Sequence, residues 1–273
     1  MLAGQRQKLI LDEARRLGAV RVKELTDLLA VSEMTVRRDL QTLAESGLLE
    51  KVHGGATARG HLSAEELGFE TNSHRQPAEK EAIAEAARRL VGPGQAIGLT
   101  AGTTTWHFAQ RIAEVPNLTV VTNSIQVADV LQRERRPDVT VVLTGGVRTP
   151  SEALVGPVAV TTVSTLHLDL LFLGVHGMAE DAGFSSPNLL EAETDRAFIA
   201  AAQRVVVLAD STKWGVRGLS RVARLDEAHV LVTDNNLSAE AKETLEAHVE
   251  RVVLAPVRGP RAPRTGNVAI GHP

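Results

Sequence analysis

Seven short apolar runs, at 95–99, 118–122, 139–143, 168–175, 204–209, 229–233 and 251–255, constrain this chain more than anything else in it. They are built of Val, Leu and Ile without the polar alternation of a half-exposed strand. Helical stretches at 103–113, 124–133, 188–201 and 238–247 separate most of them, and another at 79–91 precedes the first. A strand that is apolar at successive positions is buried on both faces, and strands alternating with helices pair in parallel under two helical layers. The expected fold class is therefore α/β with a mostly parallel sheet over residues 77–255. Aromatic residues make up 3% of the chain, so aliphatic side chains must fill the core.

The first 57 residues follow another pattern. Leu9, Ile10, Ala14 and Leu17 predict a helix over 5–17, and Val22, Leu25, Leu28 and Leu29 predict a second over 22–29. After a turn at Ala30 and Val31, Ser32 is placed to cap a third helix reaching Glu45, with Gly47 behind it. Leu48 to Val52 reads as a strand and Gly54-Gly55 as a tight turn. On the third helix Val36, Leu40, Leu43 and Ala44 form the core-facing stripe. Arg38 lies nearly opposite, flanked by Met34, Thr35, Gln41 and Thr42, with Arg37 at the edge. Positive charge and hydrogen-bonding groups in the first half of a second helix-turn-helix helix suit the DNA major groove. The hairpin 48–58, with Lys51, His53 and its glycines, is placed to act as a wing along the backbone. Residues 1–60 carry ten Lys and Arg against eight Asp and Glu, in a chain of net charge −3. That mildly basic head agrees with a nucleic-acid partner. Residues 58–76 are expected as a linker and 256–273 as a disordered tail rich in Pro, Gly and Arg.

Several strand ends in the larger part carry polar or Gly-rich segments. "GLTAGTTTWHFAQ" (98–110) follows a strand and opens a helix. Gly102 would let a ligand approach the backbone, and Thr103, Thr104 and Thr105 offer hydroxyls and amides at a helix N-terminus, which favours an anion. A threonine cap with a glycine turn gives the same pattern. Thr122-Asn123-Ser124, Thr144-Gly145-Gly146 with Arg148, and Asp210-Ser211-Thr212-Lys213 end three further strands. Ligands of open α/β sheets bind at these ends, and Arg148 and Lys213 are the candidate cations for a phosphate.

The stretch "VSEMTVRRDLQTLAESGLLEKVHGGA" (31–56) closely resembles the winged helix of the DeoR family of bacterial transcriptional regulators. The matching residues are Ser32, Thr35, Arg37, Arg38, Asp39, Leu40, His53, Gly54, Gly55 and Ala56. The resemblance extends through the Gly102-Thr103-Thr104 loop and the three other strand ends, to about residue 255. It implies a winged helix-turn-helix followed by a sensor domain similar to ribose-5-phosphate isomerase, responsive to phosphorylated sugars or related metabolites. It implies that Arg37 and Arg38 contact the operator, with Asp39 fixing an arginine side chain. The DNA-facing set is then Ser32, Met34, Thr35, Arg37, Arg38, Gln41, Lys51, His53, Gly54 and Gly55. The effector set is Gly102, Thr103, Thr104, Thr105, Asn123, Gly145, Gly146, Arg148, Asp210 and Lys213. Two positions depart from the family. Thr100 stands where an aspartate is usual, and Asp195-Arg196 stand roughly where a lysine is usual.

The expected function is a repressor of carbohydrate genes, acting as a homo-oligomer on operator DNA and relieved by a phosphorylated effector. The alternative is a sugar-phosphate isomerase with a DNA-binding appendage, whose general base would come from Glu152, Glu180, Asp181 or Glu193. The chain reads "GVHGMAEDAG" where such isomerases show an acidic Asp-Gly-Ala-Asp-Glu run, so no catalysis is expected. No cofactor is expected. Without cysteine there is no disulfide or thiolate chemistry, and the nine histidines show no paired metal-ligand spacing. With no apolar run approaching a membrane span, a cytoplasmic protein is expected.

Overall fold

The structure, a computed structural model, describes residues 2–17, 19–46, 48–52, 54–58, 62–63, 68–133 and 136–257. The chain opens with α1 (Ala3–Leu17), β1 (Ala19–Arg21), α2 (Val22–Leu29), α3 (Glu33–Glu45), β2 (Leu49–Val52) and β3 (Gly55–Ala58). The three helices bury Ile10, Ala14, Leu25, Val36, Leu40 and Leu43 against one another. The strands pair antiparallel in the order β1-β3-β2. Ser32 caps α3, its Oγ accepting from the Thr35 amide at 3.3 Å. Ala30, in the left-handed conformation at φ 51°, turns α2 into α3. Two leucines expected in the core are not there: Leu9 is 47% and Leu28 61% exposed. Ile10 with Ala14, and Val22 with Leu25 and Leu29, define the inward faces, and the adjacent position on each helix is rotated about 100° away. β1 gave no signal, since three residues carry no period. It closes on β3 because Gly55 has no side chain: a Cβ there would lie 2.0 Å from the Val20 carbonyl oxygen.

The segment expected as a linker contains β4 (Leu62–Ser63) and α4 (Phe69–Ser73), and leads into α5 (Pro77–Arg88). Then follow β5 (Ala96–Leu99), α6 (Thr103–Ile112), β6 (Thr119–Thr122), α7 (Ile125–Arg133), β7 (Thr140–Leu143), β8 (Val147–Arg148) and β9 (Leu154–Val155). After these come α8 (Pro157–Ser164), β10 (Leu168–Gly174), β11 (Gly177–Ala179), β12 (Gly183–Ser186), α9 (Leu189–Ala201) and β13 (Ala202–Leu208). The last elements are β14 (Arg217–Gly218), β15 (Ser220–Ala223), β16 (Val230–Asp234), α10 (Ala239–His248) and β17 (Arg251–Ala255).

Among the described residues, the seven predicted apolar runs form one sheet, in the order β17-β16-β13-β10-β5-β6-β7, with every pairing parallel. One face is covered by α5, α6 and α7 through Ile83, Phe108, Ile112 and Leu131. The other is covered by α8, α9 and α10 through Val163, Phe198 and Leu245. The chain builds outward from β5 to β7, then returns to β10 on the opposite side of β5. The order therefore reverses between β5 and β10, and the loops leaving those two strands part there to open a crevice. The antiparallel sheet β11-β12-β15 and helix α8 were not expected. The β11–β12 sequence is too rich in Gly and Ser to read as strands, and the Val and Thr of α8 disguise a helix.

Candidate functional site

Two surfaces carry the chemistry. On the first, α3 points Met34, Arg37, Arg38, Gln41 and Thr42 outwards. Arg37 makes an exposed ion pair with Glu33 at 3.4 Å, and Arg38 makes no ion pair among the described residues. Lys51 on β2 donates to Gln41 at 2.6 Å, and Gln41 donates to Glu45 at 2.7 Å. The hairpin and the helix are thus tied on their exposed side. Asp39 alone turns inwards from this polar run. It accepts from Arg6 and from Gln7 Nε2 at 3.1 Å, so the arginine it fixes belongs to α1. Ser32 and Thr35 share a hydroxyl contact of 2.9 Å at the helix N-terminus. Gly54 is exposed at the tip with φ 78°, whereas Gly55 is buried beneath β1. His53 lies outside the described residues.

The second surface is a pocket at the strand-order reversal. Ala101, Gly102, Thr103 and Thr104, after β5, face Gly174, Val175 and His176 at the end of β10. Asn123 from β6, Lys213 from the turn after β13, and Glu191 and Asp195 from α9 complete it, with Phe69 and Asn72 of α4 as an outer wall. The N-terminus of α6 therefore borders a crevice that also holds a lysine, an arrangement that receives an anion. Asn123 holds the loop in place, its Oδ1 accepting from the Ala101 amide at 2.8 Å. Asp210, expected to meet the effector, does not line the pocket: it is buried and accepts from the Thr212 amide at 3.1 Å, capping the turn that presents Lys213.

Other expected residues are not brought in. Thr105 is buried behind the loop, donating to the Gly102 carbonyl at 2.9 Å. Gly145, Gly146 and Arg148 do not line the pocket. Their strand, β7, is at the edge of the sheet, and the chain leaves it into the β8–β9 hairpin. Gly146 (φ 124°) serves that hairpin, since a Cβ would lie 2.5 Å from the Val155 carbonyl oxygen. Arg148 is exposed and pairs with Glu152 at 2.6 Å. Thr100 does not line the pocket; it ties the two central strands, its Oγ1 accepting from the Gly174 amide at 3.0 Å. Of the four carboxylates considered as a general base, Glu152, Glu180, Asp181 and Glu193, none lines the pocket.

Burial dominates the electrostatics. Lys80 on α5 is 3% exposed, and its Nζ donates to the carbonyls of Asn72 and Arg75, both at 2.6 Å. Burial brings it down to about 8, with Asp210 opposing the shift and Lys213 adding to it. Burial also lowers Lys213, against the attraction of Asp210. Asp195 is pushed well above the usual carboxylate range, by burial first and then by Glu191.

The profile of the DeoR C-terminal sensor domain matches residues 75–235, and that of the DeoR-like helix-turn-helix domain matches residues 6–61. The chain belongs to the DeoR family of transcriptional regulators. Like its relatives, this DeoR-family chain is a regulator rather than an enzyme. One relative is the uncharacterized HTH-type regulator YulB of Bacillus subtilis, 32% identical over 94% of this chain and 98% of its own length. The HTH-type regulator GlpR of Haloferax volcanii is 34% identical over 90% of this chain and 96% of its own. The lactose phosphotransferase system repressor of Staphylococcus epidermidis is 34% identical over 88% and 96%. Ribose 5-phosphate isomerase A of Neisseria gonorrhoeae superposes with a TM-score of 0.37 at 19% identity, over 50% of this chain and 53% of that one. A likeness so weak says nothing about chemistry.

Sequence reasoning missed several pocket residues of this DeoR-family member. Phe69 and Asn72 fell in the expected linker; Phe69 is fixed edge-to-face on Trp106, ring centres 5.8 Å apart. Glu191 was missed because it lies on a helix remote in sequence from the loop, and for the same reason Asp195, noted only as a departure from the family, was not assigned to the site. One signal was available for Asp195. It occupies the buried face of α9 between Ala192 and Phe198, at the three-residue spacing of an apolar stripe.

Proposed function

We propose that this protein is a repressor of carbohydrate genes, released from its operator when a phosphorylated sugar or related metabolite occupies the pocket after β5. The reading rests on one arrangement: an anion-receptive helix N-terminus and Lys213 share a pocket whose outer wall, α4, runs directly into the element touching the DNA-binding part. Lys80 joins α5 to the Asn72 and Arg75 carbonyls. The adjacent Glu79 lies 3.8 Å from Arg21 of β1. The pocket volume is about 100 Å³, below the roughly 300–1,000 Å³ of most ligand sites. A sugar phosphate would therefore enter by pushing a wall outward, and we take α4, five residues long and outside the sheet, as the wall that moves. Its displacement would pass through Lys80 to α5 and the Arg21 contact.

In this reading residues 1–57 bind DNA, 58–76 link and supply the α4 wall of the pocket, 77–255 sense and 256–273 form a tail. Arg37 and Arg38 approach the major groove with Ser32, Met34, Thr35 and Gln41, and Lys51, His53 and Gly54 follow the backbone. Gly102, Thr103, Thr104, Asn123 and Lys213 hold the phosphate end of the effector. The protein acts as a cytoplasmic homo-oligomer on repeated half-sites. The names of relatives agree: one is a lactose phosphotransferase system repressor and another a putative aga operon transcriptional repressor. The test is operator binding with and without a panel of phosphorylated sugars. An effector should lower operator affinity about tenfold to a hundredfold, and Lys213→Ala should remove that response. A Lys213→Ala protein that responds like wild type would overturn the ligand assignment.

A further inference from the structure

The pocket is not uniformly receptive to anions. Glu191 and Asp195 sit one turn apart on α9 and both line it. Glu191 is well supplied with donors: the hydroxyls of Thr149 at 2.9 Å, of Ser186 at 3.4 Å, and of Ser151. Asp195 is different. It is 8% exposed and forms no hydrogen bond among the described residues. The neighbouring Arg196 turns its guanidinium to the Arg221 carbonyl at 2.5 Å. A buried carboxyl group without a donor is costly, and folded proteins rarely leave one unless something else completes it.

The same small pocket is also lined by the residues opening α6 and by Lys213. One pocket thus combines groups that receive an anion with two carboxyl groups, one of them lacking a partner. Building on the proposed phosphate site, we propose that the effector is a phosphate ester bearing a protonated amine, of the amino-sugar phosphate class, with its ammonium group at Asp195. A hydroxyl could meet the neutral form of Asp195, but only a cation offsets the charge that an ionised Asp195 carries beside Glu191. An ammonium carries three donors and a positive charge, so it supplies the missing bonds and offsets both carboxylates. Asp195 is then the specificity residue, and Glu191, fixed by three hydroxyls, is its positioning neighbour.

The test is calorimetric titration of the full chain with matched probes differing in one group: glucosamine 6-phosphate against glucose 6-phosphate, and galactosamine 6-phosphate against galactose 6-phosphate. In at least one pair the amine should bind about tenfold to a hundredfold more tightly, as expected for a hydrogen-bonded charge. Asp195→Asn, checked for an unchanged melting temperature, should bring that ratio close to one while the hydroxyl member still binds. Equal or tighter binding of the hydroxyl members to wild type, or an unchanged ratio in Asp195→Asn, overturns the amine assignment and leaves the phosphate reading standing. If none of the four esters binds, the phosphate reading itself falls, and the amine assignment with it.

Discussion

Replacing Lys80 with methionine tests the link between the pocket wall and α5. The side chain is 3% exposed, and its ammonium is held by two carbonyls. Its protonation is depressed from 10.5 to about 8, chiefly by burial. That depression corresponds to roughly 3 kcal/mol disfavouring the charged form in the fold relative to the unfolded chain. The sign follows from proton counting. Between pH 8 and 10.5 the unfolded chain binds more protons at this residue than the folded one, so stability rises with pH. This contribution is complete above 10.5 and is lost as pH falls through 8. Roughly 2 kcal/mol of it should appear between about pH 7 and 9.5. The chain has no tyrosine and no cysteine to titrate in that window, and subtracting the Lys80→Met curve removes every group that does not sense Lys80. Urea unfolding followed by tryptophan fluorescence is the assay, since Trp106 packs against the core that α5 shares. The stability of wild type minus that of Lys80→Met should become more favourable by about 2 kcal/mol over this range. A difference that stays flat to within about 0.5 kcal/mol, or that moves the other way, would refute the claim that a charged lysine is buried at a cost beside the pocket.

Asp39→Ala removes the acceptor of Arg6 and Gln7; amide exchange should accelerate roughly tenfold or more in α1 and α3 while peptides of the parallel sheet stay unchanged. Arg38→Ala should weaken operator binding and reduce the salt dependence of affinity by a slope of about one, whereas no change in slope would mean that Arg38 meets no phosphate. Gly98→Ala places a Cβ 2.8 Å from Leu168 Cδ1 and 3.1 Å from Phe198 Cδ1; overpacking there should cost about 1–3 kcal/mol in urea unfolding.

The sequence by itself determined the strands of the main sheet and the three N-terminal helices. Runs of Val, Leu and Ile marked all seven strands of the main sheet, because a strand buried on both faces needs no partner to be recognised. The cap at Ser32 and the outward arginines of α3 were equally legible, since both follow from spacing within a single helix. Tertiary structure alone decided which strand ends meet. Thr144-Gly145-Gly146 looked as ligand-receptive as Gly102-Thr103-Thr104, yet one leaves an edge strand into a hairpin and the other opens the central crevice. Strand order separates them, and order is a property of packing between segments far apart in the chain. The same holds for Glu191 and Asp195. Each is an ordinary helix residue in sequence, and becomes a charge or dipole of the pocket only when its helix is laid against the sheet and water is withdrawn.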